Sequence, residues 1–174
     1  MTYRLRHNTP VESALAIIKD RCVSATVEPY REYGYGNGPY FFVEGMALDE
    51  VASGGNHHPA NLYFDCELEP ECVLSSDLNA ALGSEDTRAV YEGKLLLCYR
   101  NRGLDGKLTE FREAIIIPML GKAKILPDCL KLVQFEPVGL FDDVSFITRR
   151  KRKEAAETMI ADGTPFSVGI RYAH

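Results

Sequence analysis

Four short stretches carry the side chains that could do chemistry. His7, Asn8 and Thr9 stand at the junction between an apparent strand and an apparent helix. The stretch "GYGNGPYFF" supplies Gly34, Gly36 and Gly38 together with Tyr35 and Tyr40. Glycines there permit positive φ and close backbone approach to a ligand, and tyrosines offer flat faces for stacking on an aromatic ring. "TEFREAIIIP" ends a polar run on Glu113 at the edge of the apolar run Ala114–Ile117. A carboxylate at such an edge suits holding a sugar hydroxyl or stabilising a cationic transition state. Glu110 lies three residues earlier, so on a strand it addresses the other side. The fourth stretch, "RRKRK" (149–153), reads as a solvated helix face with intrahelical ion pairs to the glutamates after it, or as a patch for an acidic target.

These residues need elements to hold them. Tyr3–Arg6 alternates as a short strand. Thr9 as N-cap, Pro10 at the first helical position and Glu12 as the far half of a capping box then predict a helix. Val11, Ala14, Leu15, Ile18 and Cys22 repeat at helical spacing along it. The polar, glycine- and tyrosine-rich segment 26–38 reads as a long loop, and "PYFFV" (39–43) as a short buried strand. Met46–Ala52 and Leu74–Leu82 read as short helices. "LYFDCEL" (62–68), "KLLLCYR" (94–100), "FREAIIIP" (111–118), "AKILP" (123–127) and "LKLVQFEP" (130–137) read as strands. A charged helix over Ser145–Ile160 and a closing strand over 166–172 complete the chain. One early helix and a strand-rich second half make an α+β pattern rather than regular βαβ alternation.

The bulk numbers bound the function. A chain of 174 residues suits one domain with a substantial core, taken as 1–174. A net charge of −5 argues against a chain dominated by nucleic-acid contacts. Five scattered cysteines with no C-x-x-C pair read as reduced thiols of a cytoplasmic protein. No apolar run reaches transmembrane length, and no signal-peptide core is present. His57 and His58 are adjacent without a third ligand at useful spacing, so no metal is expected.

Taken in order, three of the stretches resemble the ADP-ribosyltransferase superfamily, in the branch with a His-Tyr-Glu triad shared by poly(ADP-ribose) polymerases and diphtheria-type toxins. "LRHNTPVESALAIIKDRCV" is similar to that family's opening strand, His-Gly-Thr/Ser motif and following helix, with a short second strand after it. "GYGNGPYFFVEG" resembles its Gly-x-Tyr-Phe element, and "FREAIIIP" followed by "AKILP" resembles the strand presenting its glutamate and the next strand. The likeness spans roughly residues 3–126. It implies a split core of two packed, mostly antiparallel sheets with a few peripheral helices. It also implies NAD as substrate without a metal, and a protein acceptor that takes ADP-ribose as nicotinamide leaves. His7 would hold the adenosine-side ribose, the backbone at Asn8 the nicotinamide amide with Thr9 assisting, and Tyr40 the nicotinamide ring, with Tyr35 and Gly38 lining the same pocket. Glu113 would stabilise the oxocarbenium-like state as the glycosidic bond breaks.

This sequence also departs from the family pattern. Asn8 stands where the family has glycine, and Leu48 and Val51 stand where the polymerase branch has a serine and a second tyrosine. The small size is similar to a bacterial toxin or effector, which would act inside a host cell. Three other functions on the same fold are a catalytically degraded interaction module, an NAD glycohydrolase and an RNA 2′-phosphotransferase.

Overall fold

Alternation decides most of this architecture. The computed structural model describes residues 3–26, 40–43, 58–74, 94–102, 104–106, 108–116, 125–137, 146–162 and 165–173. The helices expected over 46–52 and 74–82, together with Tyr35, Gly38, Leu48 and Val51, lie outside them, except for Leu74, which ends a strand. Along β4 (Ala60–Cys66), Ala60, Leu62, Phe64 and Cys66 are fully buried. Tyr63 and Asp65 alternate with them and are only half-buried. Such a strand has one face in the core and one polar face.

The chain runs β1 (Tyr3–Thr9), α1 (Val11–Asp20), β2 (Cys22–Thr26), β3 (Tyr40–Val43), β4, β5 (Pro70–Leu74), β6 (Leu95–Arg102), β7 (Leu108–Ile116), β8 (Ile125–Pro137), α2 (Phe146–Asp162) and β9 (Phe166–Ala173). The protein is α+β. Among the described residues, nine strands are hydrogen-bonded in the order β2-β9-β8-β4-β1-β3-β7-β6-β5. The pairs β2–β9 and β5–β6 are parallel and the others antiparallel. The sheet curls over its apolar face. Phe41 on β3 and Phe64 on β4 flank β1, a backbone separation of about 9–10 Å in a flat sheet, yet their ring centroids are 6.0 Å apart.

Three local expectations are corrected. Thr9 does not cap α1; it stays in the β1–β4 ladder opposite Ala60, 5% exposed, and Pro10 takes the N-cap position without a side-chain cap. The ladder bond outcompetes the capping box. Cys22 does not extend the helix, because Arg21 turns the chain with φ 50° and ψ 41° and Cys22 opens β2. Arg21 is held there by its carbonyl, which accepts from Gly169 N at 3.0 Å, and by its guanidinium, 4.6 Å over the Phe166 ring. The two strands expected over 123–137 are one strand, β8, whose pairing with β9 is irregular between Leu126 and Leu130. Pro127 lies inside that irregularity and has no N–H to give to a ladder.

Helix α1 buries Val11, Ala14, Ile17 and Ile18, and it packs against α2, which buries Ala155. Glu12 Oε1 accepts from Lys151 Nζ at 2.7 Å across that contact. The Lys151 hydrogen bond holds the Glu12 carboxyl below its ordinary value of 4.5. A depressed carboxylate contributes stability that is present above its unfolded pKa and is lost as pH falls through the folded one. Both groups are at least a third exposed, so the contribution is under about 1 kcal/mol. Lys151→Gln is therefore expected to lower stability slightly at pH 7 and to match the wild type at pH 3. Urea midpoints at the two pH values check this, and an equal gap at both would refute it.

Candidate functional site

Pleat and register divide the candidate residues between the two faces of the sheet. His7 lies on β1 opposite Leu62 of β4, a fully buried residue. On the other side its ring sits 5.6 Å from the ring of Phe41, tilted by 53°. His7 is half-buried among Leu62, Phe41 and the core, at the rim of the apolar face. Thr9, two residues on, shares that face and is buried.

Asn8 belongs to the opposite, polar face. Its side-chain oxygen accepts from His58 N at 2.7 Å. Its Nδ2 lies 2.9 Å from His58 O, 3.2 Å from Ala60 O and 2.8 Å from Asn61 Oδ1. The carboxamide thus pins the entry of β4 to β1. The network continues across the sheet: Asn61 is 2% exposed and donates from Nδ2 to Glu136 Oε2 at 3.3 Å, and Tyr63 Oη donates to the same oxygen at 2.5 Å. Arg4 pairs with Asp65 at 2.5 Å, and the Arg6 guanidinium lies 4.7 Å over the Phe42 ring.

A one-residue bulge in β8 makes this network. Leu132 pairs with Phe64, but Phe135 rather than Gln134 pairs with Leu62, the register shifting between Tyr63 and Phe64. The extra residue switches parity, because each one-residue slip exchanges the faces of a strand. Phe135 therefore packs on the core and Glu136 stands opposite Asn61 on the polar side. Asn61, Tyr63 and Glu136 were not among the residues singled out from the sequence. Alternation in "ANLYFDC" marks a polar strand face, and the spacing Leu130, Leu132, Phe135 marks the bulge; the partnership across strands is a matter of register.

The strands bearing His7, Tyr40 and Glu113 are consecutive in the sheet, β1-β3-β7. Phe41, beside His7, pairs with Ala114, and Tyr40 pairs with Ile115. Glu113 pairs with Cys98 of β6. His7 thus shares a row with Phe41 and Ala114, whereas Tyr40 and Glu113 occupy the two rows flanking it. Arg6 pairs with Phe42, so the row beyond Phe41 is the one that carries Arg6 toward Glu113.

Cys22 and Cys66 are buried thiols and Cys72 is an exposed one; burial pushes the Cys66 thiol up and keeps it protonated. Among the described residues no three His, Cys, Asp or Glu side chains converge as a metal site, and no helix is long and apolar enough to cross a membrane. The chain matches no family model, no curated protein and no solved structure.

Proposed function

We propose that this chain is an NAD-dependent mono-ADP-ribosyltransferase built on a split-sheet ADP-ribosyltransferase core, with Glu113 acting on the nicotinamide ribose and Tyr40 on the nicotinamide ring. The observation that supports it is strand adjacency. Residues far apart in sequence, His7, Tyr40 and Glu113, stand on three neighbouring strands near the middle of the sheet. A carboxylate beside the ribose would stabilise the positive charge that develops as the glycosidic bond to nicotinamide breaks, and a macromolecular nucleophile would then capture the ADP-ribosyl group.

A second reading, a non-catalytic module on the same fold, is favoured by Asn8 and His7. The Asn8 carboxamide clamps to β4 the very backbone that would have to approach the nicotinamide amide, and the His7 ring lies against Phe41 in the apolar row. Calorimetric titration with NAD, paired with transfer of labelled NAD to proteins of a lysate, separates the two. The enzyme reading expects NAD binding, a labelled acceptor, and a loss of about 10²–10³-fold in transfer for Glu113→Ala. Folded wild-type protein that binds no NAD would establish the module instead. Nicotinamide release with no labelled acceptor would establish a glycohydrolase.

A further inference from the structure

The basic run of α2 is not uniformly neutralised, and the pattern of what is left over is informative. Arg150 pairs with Glu154 at 2.9 Å and Lys153 with Glu157 at 3.6 Å, both one helical turn on. Lys151 reaches Glu12 of α1 at 2.7 Å. Arg149 and Arg152 remain. Four residues on from them stand Lys153 and Ala156, and four residues before Arg152 stands Thr148, so the helix offers neither a carboxylate. Spaced three apart, the two lie on one side of the helix within about 5–6 Å at Cβ, where like charges disfavour each other.

Arg152 adds a second observation. Its Nε and Nη2 are buried and have no hydrogen-bond partner, while Arg149 is exposed and belongs to none of the ion pairs among the described residues. Nε–H and Nη2–H are the two parallel donors along one edge of a guanidinium, the edge that grips an oxyanion bidentately. Buried cationic donors without an acceptor are strongly disfavoured, and native structures rarely keep them. We infer that Arg149 and Arg152 form a phosphate-binding site on α2, in which the Arg152 edge receives two phosphate oxygens and Arg149, at the surface, a third. Phosphate is the oxyanion that matches, because two adjacent cations balance a group carrying about −1.5 to −2 charges, whereas one arginine suffices for a carboxylate. The chain's net charge of −5 points to a small phosphorylated molecule rather than a nucleic acid. A long arginine side chain turns its edge outward by rotation about its own torsions, which opens the fork to the ligand. The site does not depend on the NAD reading, and it stands or falls separately.

The test uses the full chain and inorganic phosphate. Phosphate is titrated against sodium chloride of equal ionic strength, with the melting temperature and the ¹⁵N-edited Nε–H signals of arginine as readouts, and acetate is run in parallel. The melting temperature is expected to rise with phosphate only, and the Arg152 Nε–H resonance to shift along the same saturation curve. Arg152→Gln and Arg149→Gln should each weaken binding about tenfold or more. Arg152→Lys, which keeps the charge but loses the fork, should fall between. Arg150→Gln, removed from an ion pair on the neighbouring side, should bind as the wild type does. If Arg152→Gln fails to fold, Arg149→Gln and the wild-type resonance still decide. No difference between phosphate and chloride, an equal or stronger response to acetate, or an Arg152 Nε–H already held by a carboxylate of the chain would overturn the site.

Discussion

Asn8→Gly is expected to lower the unfolding free energy by about 2–4 kcal/mol, roughly 5–15 °C in melting temperature for a domain of this size. Four contacts converge on one carboxamide: His58 N, His58 O, Ala60 O and Asn61 Oδ1. An amide nitrogen has two hydrogens, so three acceptors share two donors. Removing the side chain strips the amide of His58 and the oxygen of buried Asn61 of their partners. Each net hydrogen bond is worth about 1 kcal/mol, and an unsatisfied buried group costs about 1–3. Glycine within a strand adds about 0.5–1 kcal/mol through backbone entropy. Asn8→Asp is a sharper companion, since it keeps an acceptor for His58 N but offers nothing to Asn61 and brings a carboxylate toward Glu136. Chemical denaturation checks both. A glycine variant within about 0.5 kcal/mol of the wild type would mean that the clamp is not formed. The same variant bears on function, because glycine is the residue that the ADP-ribosyltransferase pattern has there. If the backbone grips nicotinamide, the folded fraction of Asn8→Gly should bind NAD at least as well as the wild type.

Most elements of this fold were legible because their periodicity is local. β1, α1, β3, β4, β6, β7, α2 and β9 were expected to within a few residues of where they stand. Periodicity alone hid β2, because Cys22 falls at helical spacing from Ile18; only the family resemblance implied a short strand after α1, and the left-handed Arg21 is what separates helix from strand. β5, Pro70–Leu74, is five residues with a proline at its start and Glu71 beside it, too little apolar signal to name a strand. The capping box failed for a related reason. Thr9 has the right chemistry for a cap, but its pairing with Ala60 is set by a strand some fifty residues away, and nothing within a turn of Thr9 reveals that.

The site was less legible than the fold, and the physical reason is parity. Residue type marked His7, Asn8, Tyr40 and Glu113 as candidates, and the topology sets their strands side by side. Which face each addresses depends on a register that one residue reverses. The bulge in β8 shows how much hangs on such a residue. Without it Glu136 would stand on the face of Leu130 and Leu132, a carboxylate in an apolar core; with it the carboxylate meets Asn61 and Tyr63. Asn8 changes meaning in the same way. Against the resemblance it is a departure from the family's glycine, and in the sheet it is the start of a hydrogen-bond network that crosses β1, β4 and β8.

Phe41→Ala is expected to cost about 3–5 kcal/mol, the range for removing a fully buried aromatic ring and leaving a cavity. Phe41 is 1% exposed, meets Phe64 edge-on at 6.0 Å and lies 5.6 Å from His7. Its place in the sheet makes it more than one core residue among others. β3 has four residues, and among the described strands it is the one that joins β1 to β7, so it couples the β2-β9-β8-β4-β1 group to the β7-β6-β5 group. Loss of the ring weakens that joint and leaves the long β1–β4 and β4–β8 ladders intact. Amide exchange at Leu95–Leu97 of β6 should therefore accelerate more than exchange at Leu62–Phe64 of β4, since regions open with the free energy of their own cooperative unit. Phe41→Leu, which refills much of the space, should recover more than half of the loss. Equal acceleration in β4 and β6 would mean that the sheet opens as one unit and that β3 is not its joint. The same substitution reads out His7: with the ring gone, carbethoxylation of the imidazole should quicken. If NAD affinity falls with it in proportion to stability alone, His7 serves the core. A larger fall, outside what stability explains, would tie the apolar row of His7 and Phe41 to the ligand.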